Sequence, residues 1–168
     1  MRILRPTPIL ALLLLATAVP AGAATETMVD CDTIKTRWTA ALRAVEPARL
    51  GLAFVNAPGR MGEERVANMP DVDARLTCLE SLMTRIELRQ AAGDPAKTLP
   101  PLLTVAASLL AAFDLDLTPA QAADMVGAMR AEAEGRRDAV SAWGVYEITY
   151  TRAGADGRAE FVIDHPEN

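Results

Sequence analysis

The sequence has little of the residue types that most often carry catalysis or hold metal ions. Its 168 residues include one histidine, His165, and two cysteines, Cys31 and Cys78. It has no Gly-rich phosphate loop, no Gly-x-Ser-x-Gly segment and no EF-hand spacing. A Ser–His–Asp or Cys–His site would have to use His165, three residues from the last one, where chains tend to fray. We therefore predict no catalytic residue, no cofactor and no metal ion.

Positive charge is also scarce. Lysine and arginine number 17 against 22 acidic residues, a formal net charge of −5, and lysine occurs only at positions 35 and 97. The first 23 residues contain Arg2 and Arg5 and no acid, so the remainder carries −7. Nucleic acids and anionic membrane surfaces recruit clustered Lys and Arg. The composition therefore excludes both as partners.

The N-terminal segment has the pattern of an export signal. A short basic start precedes an apolar run over residues 9–19, and small residues end the segment at Ala23. The run has the length of a signal-peptide core and is too short to cross a bilayer. We predict a signal peptide at 1–23, a single disulfide-stapled domain at 24–168, no stable membrane anchor after cleavage, and a periplasmic or secreted location.

Cys31 follows the predicted cleavage site too late to be a lipoprotein anchor, because that cysteine must be the first mature residue. Asp30 and Asp32 flank it with negative charge, which disfavours a reactive thiolate. In an oxidising compartment Cys31 has one possible partner within the chain, Cys78, and two free thiols are the alternative. The loop closed by a disulfide would span 47 positions. We expect the bond to form.

Hydrophobic periodicity predicts a mainly helical α+β domain. The four predicted helices lie near 32–46, 71–91, 100–113 and 118–135. In the second, five apolar residues recur at helical spacing: Leu76, Leu79, Leu82, Met83 and Ile86. The third has no charge and is expected to be a central helix, since a membrane span needs about 20 residues. The fourth begins with a capping box, Thr118-Pro119-Ala120-Gln121.

Strand periodicity is clearest near the C-terminus. Apolar residues alternate around a turn at 154–157 and predict a β-hairpin near 143–152 and 158–164. In this register Tyr150 faces Phe161 and Ile148 faces Ile163. A third short strand is expected near 49–55, and residues 56–70 are expected to form a surface crossing.

Other polar and sulfur-containing patterns have ordinary structural explanations. The Asp-x-Asp pairs at 30/32, 71/73 and 114/116 fall just before predicted helices. There a carboxylate caps the first turn or is exposed to solvent. Met125 and Met129 lie on an apolar helical stripe, which favours core packing over a Cu(I) site shared with Met61 and Met69.

Two functional hypotheses follow. The favoured one is a non-enzymatic exported protein that binds another periplasmic or secreted protein, such as an inhibitor, immunity protein or accessory subunit. Trp143, Tyr146 and Tyr150 of the C-terminal hairpin are its candidate partner-binding residues, unless these aromatics only cap the core. The alternative is a small exported hydrolase whose Asp or Glu carboxylates are brought together by the fold.

Overall fold

The computed structural model describes residues 27–48, 51–154 and 156–166, so the predicted signal peptide lies outside the described residues. Within these ranges the chain forms three helices and seven strands. In chain order they are α1 (Cys31–Val45), β1 (Phe54–Asn56), β2 (Glu63–Val66), β3 (Val72–Leu79), β4 (Leu82–Gln90), α2 (Pro95–Phe113), α3 (Pro119–Gly135), β5 (Asp138–Trp143), β6 (Tyr146–Thr151) and β7 (Glu160–Asp164).

The strands form one antiparallel sheet in the order β1-β2-β3-β4-β7-β6-β5. All three helices contact the same face of the sheet, with α1 and α2 over β4 and α3 over β5 and β6. This inner face is apolar and buried, and the side chains on the opposite, outer face are mostly polar. Apolar and polar residues alternate along the strands because only one face is covered. The buried inner-face residues include Val72, Ala74, Leu76, Ile86, Leu88, Ile148, Tyr150, Phe161 and Ile163.

The first helix is close to its predicted position. Its N-cap is Asp30, the first residue of the Asp-x-Asp pair at 30/32, whose side chain accepts from the Thr33 backbone nitrogen. The buried stripe includes Ile34 and Trp38. The Trp38 indole nitrogen donates to the Ser108 hydroxyl of α2 at 3.2 Å, which satisfies a polar group inside the helical layer.

The second helix, α2, packs between α1 and α3. It begins at Pro95 with Asp94 as N-cap, not at the predicted Pro100. Its length and mean hydropathy of 1.4 would allow a membrane crossing, but half of that stretch is buried inside the fold. Core helices and membrane helices share these properties, and the packing on both sides is that of a core helix.

The prediction of a mainly helical domain with four helices is wrong. Residues 71–91 form β3, a two-residue turn and β4, which pair from Val72–Gln90 to Leu79–Leu82. The register shifts between Thr77 and Cys78, so β4 carries one extra residue. This bulge places the buried Met83 and Ile86 three positions apart, which imitates helical spacing.

The C-terminal strands pair in the predicted register but not as a peripheral hairpin. Ile148 lies opposite Ile163 and Tyr150 opposite Phe161. However, β7 also pairs with β4 and so lies inside the sheet. The short strand expected near 49–55 is β1, and the expected crossing at 56–70 contains β2.

Candidate protein-binding surface at the disulfide end of the sheet

The predicted disulfide is confirmed: Cys31 and Cys78 are bonded, with their Cα atoms 6.4 Å apart. The bond joins the first residue of α1 to β3, not to a second helix. Intramolecular disulfides persist mainly in oxidising compartments, so the bond is consistent with export.

Four chain segments meet around this bond. The backbone nitrogen of Cys31 donates to the Ser81 carbonyl at 2.8 Å, and that of Met83 donates to the Val29 carbonyl at 2.8 Å. The backbone nitrogen of Cys78 donates to the Gly62 carbonyl, also at 2.8 Å. We call this region the disulfide end: the Cys31–Cys78 bond with residues 29–31, the β1–β2 loop at 57–62 and the β3–β4 turn with its flanking residues at 79–82.

Gly62 allows the β1–β2 loop to approach β3 closely. Its φ is +76°, and a Cβ atom at this position would lie 2.3 Å from the Cys78 carbonyl oxygen. Only glycine fits such a backbone contact without strain. The contact places Met61 and Leu79, the chain neighbours of Gly62 and Cys78, at the same end of the sheet.

The β3–β4 turn is strained. Glu80 and Ser81 have φ of 51° and 70°, in a two-residue turn of the kind that favours Asn-Gly. Non-glycine residues in this region cost of order 1 kcal/mol each. The turn is held by the hydrogen bond from Cys31 and by the disulfide a few residues away, so the surrounding contacts fix a conformation that its own residues disfavour.

Apolar side chains are exposed on this rigid support. Met61 is fully exposed, Leu79 is 63 % exposed, and Leu82 is also exposed. Leu79 and Leu82 lie directly opposite one another at the last position of the β3–β4 ladder. The sequence-based reasoning missed both because it placed them on a helical stripe. Two leucines flanking two polar residues were the available signal of a hairpin tip.

A cleft of about 240 Å³ lies beside the disulfide and is acidic at its rim. Lys35 of α1 lies 2.9 and 2.7 Å from the two Glu64 carboxylate oxygens, so its charge is matched by an internal partner. Lys35 also lies 3.6 Å from the Asp32 carboxylate, and Arg60 of the β1–β2 loop pairs with Glu63 at 3.0 Å. Asp30 and Glu80 add two exposed carboxylates, so this end carries a net negative charge. The lining residues include Asp30, Asp32, Lys35, Asn56, Glu64 and Ser81.

Carboxylates on the outer face of the sheet are paired with arginines. Arg85 lies 2.6 Å from Asp164, and Arg89 lies 2.8 Å from Glu160 on the directly opposite strand position. Burial works against the Arg89 charge, but Glu160 and Glu87 outweigh it and raise the pKa of this guanidinium. These carboxylates are therefore placed for ion pairing with the arginines of the same face.

The three aromatic residues predicted to bind a partner lie together but face the core. Trp143 is 9 % exposed, and Tyr146 and Tyr150 are buried more completely. The Tyr146 hydroxyl accepts from the Val29 backbone nitrogen at 2.8 Å and donates to the Met83 carbonyl at 3.1 Å. Partner binding by these residues stays a prediction, and the structure gives each of them a packing role.

The remaining candidate residues are dispersed. Among the described residues no group of three or more His, Cys, Asp or Glu side chains is placed to hold a metal ion. His165 packs edge-on against Tyr146, with ring centroids 6.0 Å apart. Asp114 accepts from the Asp116 backbone nitrogen at 2.9 Å after the end of α2, and Asp71 lies just before a strand, not before the predicted helix.

Comparison with known proteins gives no relative from which a role could be transferred. No protein family matches the chain, and no curated protein or solved structure is significantly similar to it.

Proposed function

We propose that this chain is an exported, non-enzymatic protein that binds another exported protein through the disulfide end. The observation that carries the proposal is the exposed apolar group of Met61, Leu79 and Leu82 on a support stiffened by the disulfide and the strained turn. The apolar start at 9–19 and the disulfide support export, with a mature N-terminus predicted at or within two residues of Ala24.

Rigid support makes these side chains suitable for binding. Covering a leucine contributes about 1.5–3 kcal/mol, and a site that is already ordered loses little conformational entropy when a partner arrives. Strain that is maintained by surrounding contacts is more common at functional sites than elsewhere. The turn at 80–81 meets this description because its hydrogen bond to Cys31 and the nearby disulfide hold it in place.

Charge narrows the chemistry of the partner. The exposed Glu80 carboxylate lies in the turn between Leu79 and Leu82, and the disulfide end as a whole carries a net negative charge. A partner segment with an apolar side chain between Lys or Arg residues complements this arrangement, since opposite charges at an interface rim favour encounter and orientation. Binding should therefore weaken as salt concentration rises.

Site-specific crosslinking tests the proposal. A photo-crosslinking residue at position 79 should capture a partner in the exporting cell, whereas one at position 115 should not. Leu115 is a matched control because it is 69 % exposed and lies in the α2–α3 connection, away from β3 and β4 in the chain. Intact mass of the exported protein shows in the same material whether the N-terminus is near Ala24.

Binding of the purified partner completes the test. Leu79→Asp should weaken binding at least about tenfold, equivalent to 1.4 kcal/mol, and Leu115→Asp should leave it unchanged. Unaltered melting temperatures would show that both variants fold. Equal capture at the two positions, or equal affinity of the two variants, would refute a binding site at the disulfide end.

A further inference from the structure

The strand β5 is an edge of the sheet, and its outer main-chain groups are directed away from β6. Among the described residues it is the last strand in the sheet order and its single strand partner is β6. The Arg137 carbonyl accepts from the Arg152 nitrogen at 3.1 Å, which fixes the alternation along the strand. Residues 139, 141 and 143 therefore bond to β6, and the N–H and C=O groups of Asp138, Val140 and Ala142 point outward.

Apart from the charged Asp138 at its start, this edge lacks the usual protection against strand pairing. Residues 138–143 contain no lysine and no proline, and their pairing with β6 has no register shift. Val140 is 57 % exposed and Ala142 is exposed. Natural sheets normally blunt their edges with charges, prolines, bulges or very short strands. The opposite edge, β1, has only three residues, so β5 is the edge suited to add a strand.

We propose that a second copy of this chain covers the edge, with the two β5 strands antiparallel about a two-fold axis at Val140. In this register Val140 lies opposite the partner's Val140, and Asp138 lies opposite the partner's Ala142. The three outward residues form three bonded pairs and about six main-chain hydrogen bonds. A closed two-fold dimer is the commonest symmetric assembly.

Charge supports this register and a second copy as the occupant. No carboxylate faces another carboxylate in this register, because the two Asp138 side chains lie at opposite ends of the paired segment. Shifting the strands by two residues would set the Asp138 carboxylate against Val140 and lose one bonded pair. On the outer face, Val140, Thr149 and Val162 are cross-strand neighbours and form a row of uncharged side chains. In the dimer the rows of the two copies would join at Val140.

The helix α3 beside this edge has an unexplained glycine. Gly127 lies within α3, and a Cβ atom there would meet nothing within 4 Å. Glycine inside a helix costs about 1 kcal/mol relative to alanine, and no contact among the described residues requires it. Ala123, Gly127 and Ala131 are four residues apart on an exposed flank, while α2 packs against α3 and β5 and β6 lie beneath it. Small residues let a second helix approach closely, and in the proposed dimer that helix is the partner's α3.

The dimer goes beyond the proposed binding function and would change its strength. In the sheet order β7 and β6 lie between β4 and β5, so pairing at β5 leaves both disulfide ends uncovered. Two sites in one particle would raise the apparent affinity for any partner that presents two copies of its own segment.

Sedimentation velocity on the disulfide-intact protein tests the proposal, with the concentration varied from micromolar to several hundred micromolar. The expected result is a concentration-dependent shift to a particle of two chains. Val140→Lys should abolish the shift because two lysines would face each other at the axis. Thr149→Lys is the matched control, since it adds the same charge on the same face one strand away and should keep the dimer.

A cysteine at the axis gives an independent result. The described chain has no free cysteine, so Val140→Cys should form an intermolecular disulfide under mild oxidation, whereas Leu115→Cys should not.

Gly127→Leu should weaken the dimer at least tenfold while Ala128→Leu, on the next residue of the helix, should not. A protein that stays monomeric at every concentration, or a dimer that survives Val140→Lys, would overturn the proposal.

Discussion

The hydroxyl oxygen of Tyr146 lies 2.8 Å from the backbone nitrogen of Val29, a residue 117 positions earlier in the chain. The same hydroxyl donates to the Met83 carbonyl at 3.1 Å, and the ring packs edge-on against Phe113 of α2. One buried side chain thus connects the segment before α1, the start of β4 and the end of α2. The segment that leads into the disulfide is therefore also fixed from inside the core.

Tyr146→Phe should lower the free energy of unfolding. Removing the hydroxyl leaves the Val29 N–H and the Met83 carbonyl without this partner in a buried place, which costs about 1–3 kcal/mol. Tyr150→Phe is the matched control, because its ring is equally buried and its hydroxyl makes neither of these bonds. Denaturant unfolding measures the difference, and equal losses in the two variants would contradict the role of the Val29 contact.

The two tyrosines should make the fold sensitive to alkali. Burial raises the pKa of Tyr146, with the Val29 hydrogen bond acting in the opposite direction, and burial likewise raises the pKa of Tyr150. Below about pH 10 both folded and unfolded chains keep these protons. Above it the unfolded chain releases them first, so stability falls as pH rises toward the folded pKa.

Ultraviolet absorbance of tyrosinate checks this directly, because the chain has only two tyrosines. In denaturant they should titrate near the ordinary value, and in the native protein the signal should appear at higher pH. Melting temperatures should decline over the same alkaline range. Tyrosinate forming near pH 10 in a protein that keeps its circular dichroism would contradict the buried environment.

Loss of the disulfide should destabilise the protein strongly. For a loop of 47 positions the chain-entropy treatment gives up to about 4 kcal/mol. Reductant should lower the melting temperature of the native chain and leave the Cys31→Ser/Cys78→Ser variant unaffected. Alkylation of the denatured, unreduced protein should add no mass, and two labelled thiols would refute the bond in solution.

The elements that could be predicted from the sequence are those whose ends carry local signals. The capping box at Thr118 and Gln121 is present, with each side chain bonding the other's backbone, and α3 begins there. The pairing of Tyr150 with Phe161 followed from alternation on both sides of a Gly-containing turn. In each case a few neighbouring residues determine the structure.

The segment that forms β3 and β4 was predicted as a helix because two local features of the hairpin are atypical. Alternation is visible from Val72 to Leu76 and from Ile86 to Gln90, but the bulge opposite the Thr77–Cys78 step interrupts it. The turn between the strands has Glu80 and Ser81 where Asn and Gly would signal a hairpin. The exposed leucines of the candidate site were missed because this hairpin was not predicted.

Relaxing this turn should stabilise the protein. Ser81→Gly removes a side chain from a residue with φ of 70° and should raise the free energy of unfolding by up to about 1 kcal/mol, with a further gain in Glu80→Asn/Ser81→Gly. Gly62→Ala should act in the opposite direction, since its Cβ would lie 2.3 Å from the Cys78 carbonyl oxygen at a φ of +76°. Urea unfolding of the three variants gives the order. A less stable Ser81→Gly variant would show that the Ser81 side chain stabilises the fold by more than the strain destabilises it. Binding of the partner to Glu80→Asn/Ser81→Gly would then show whether the strained turn itself takes part in recognition.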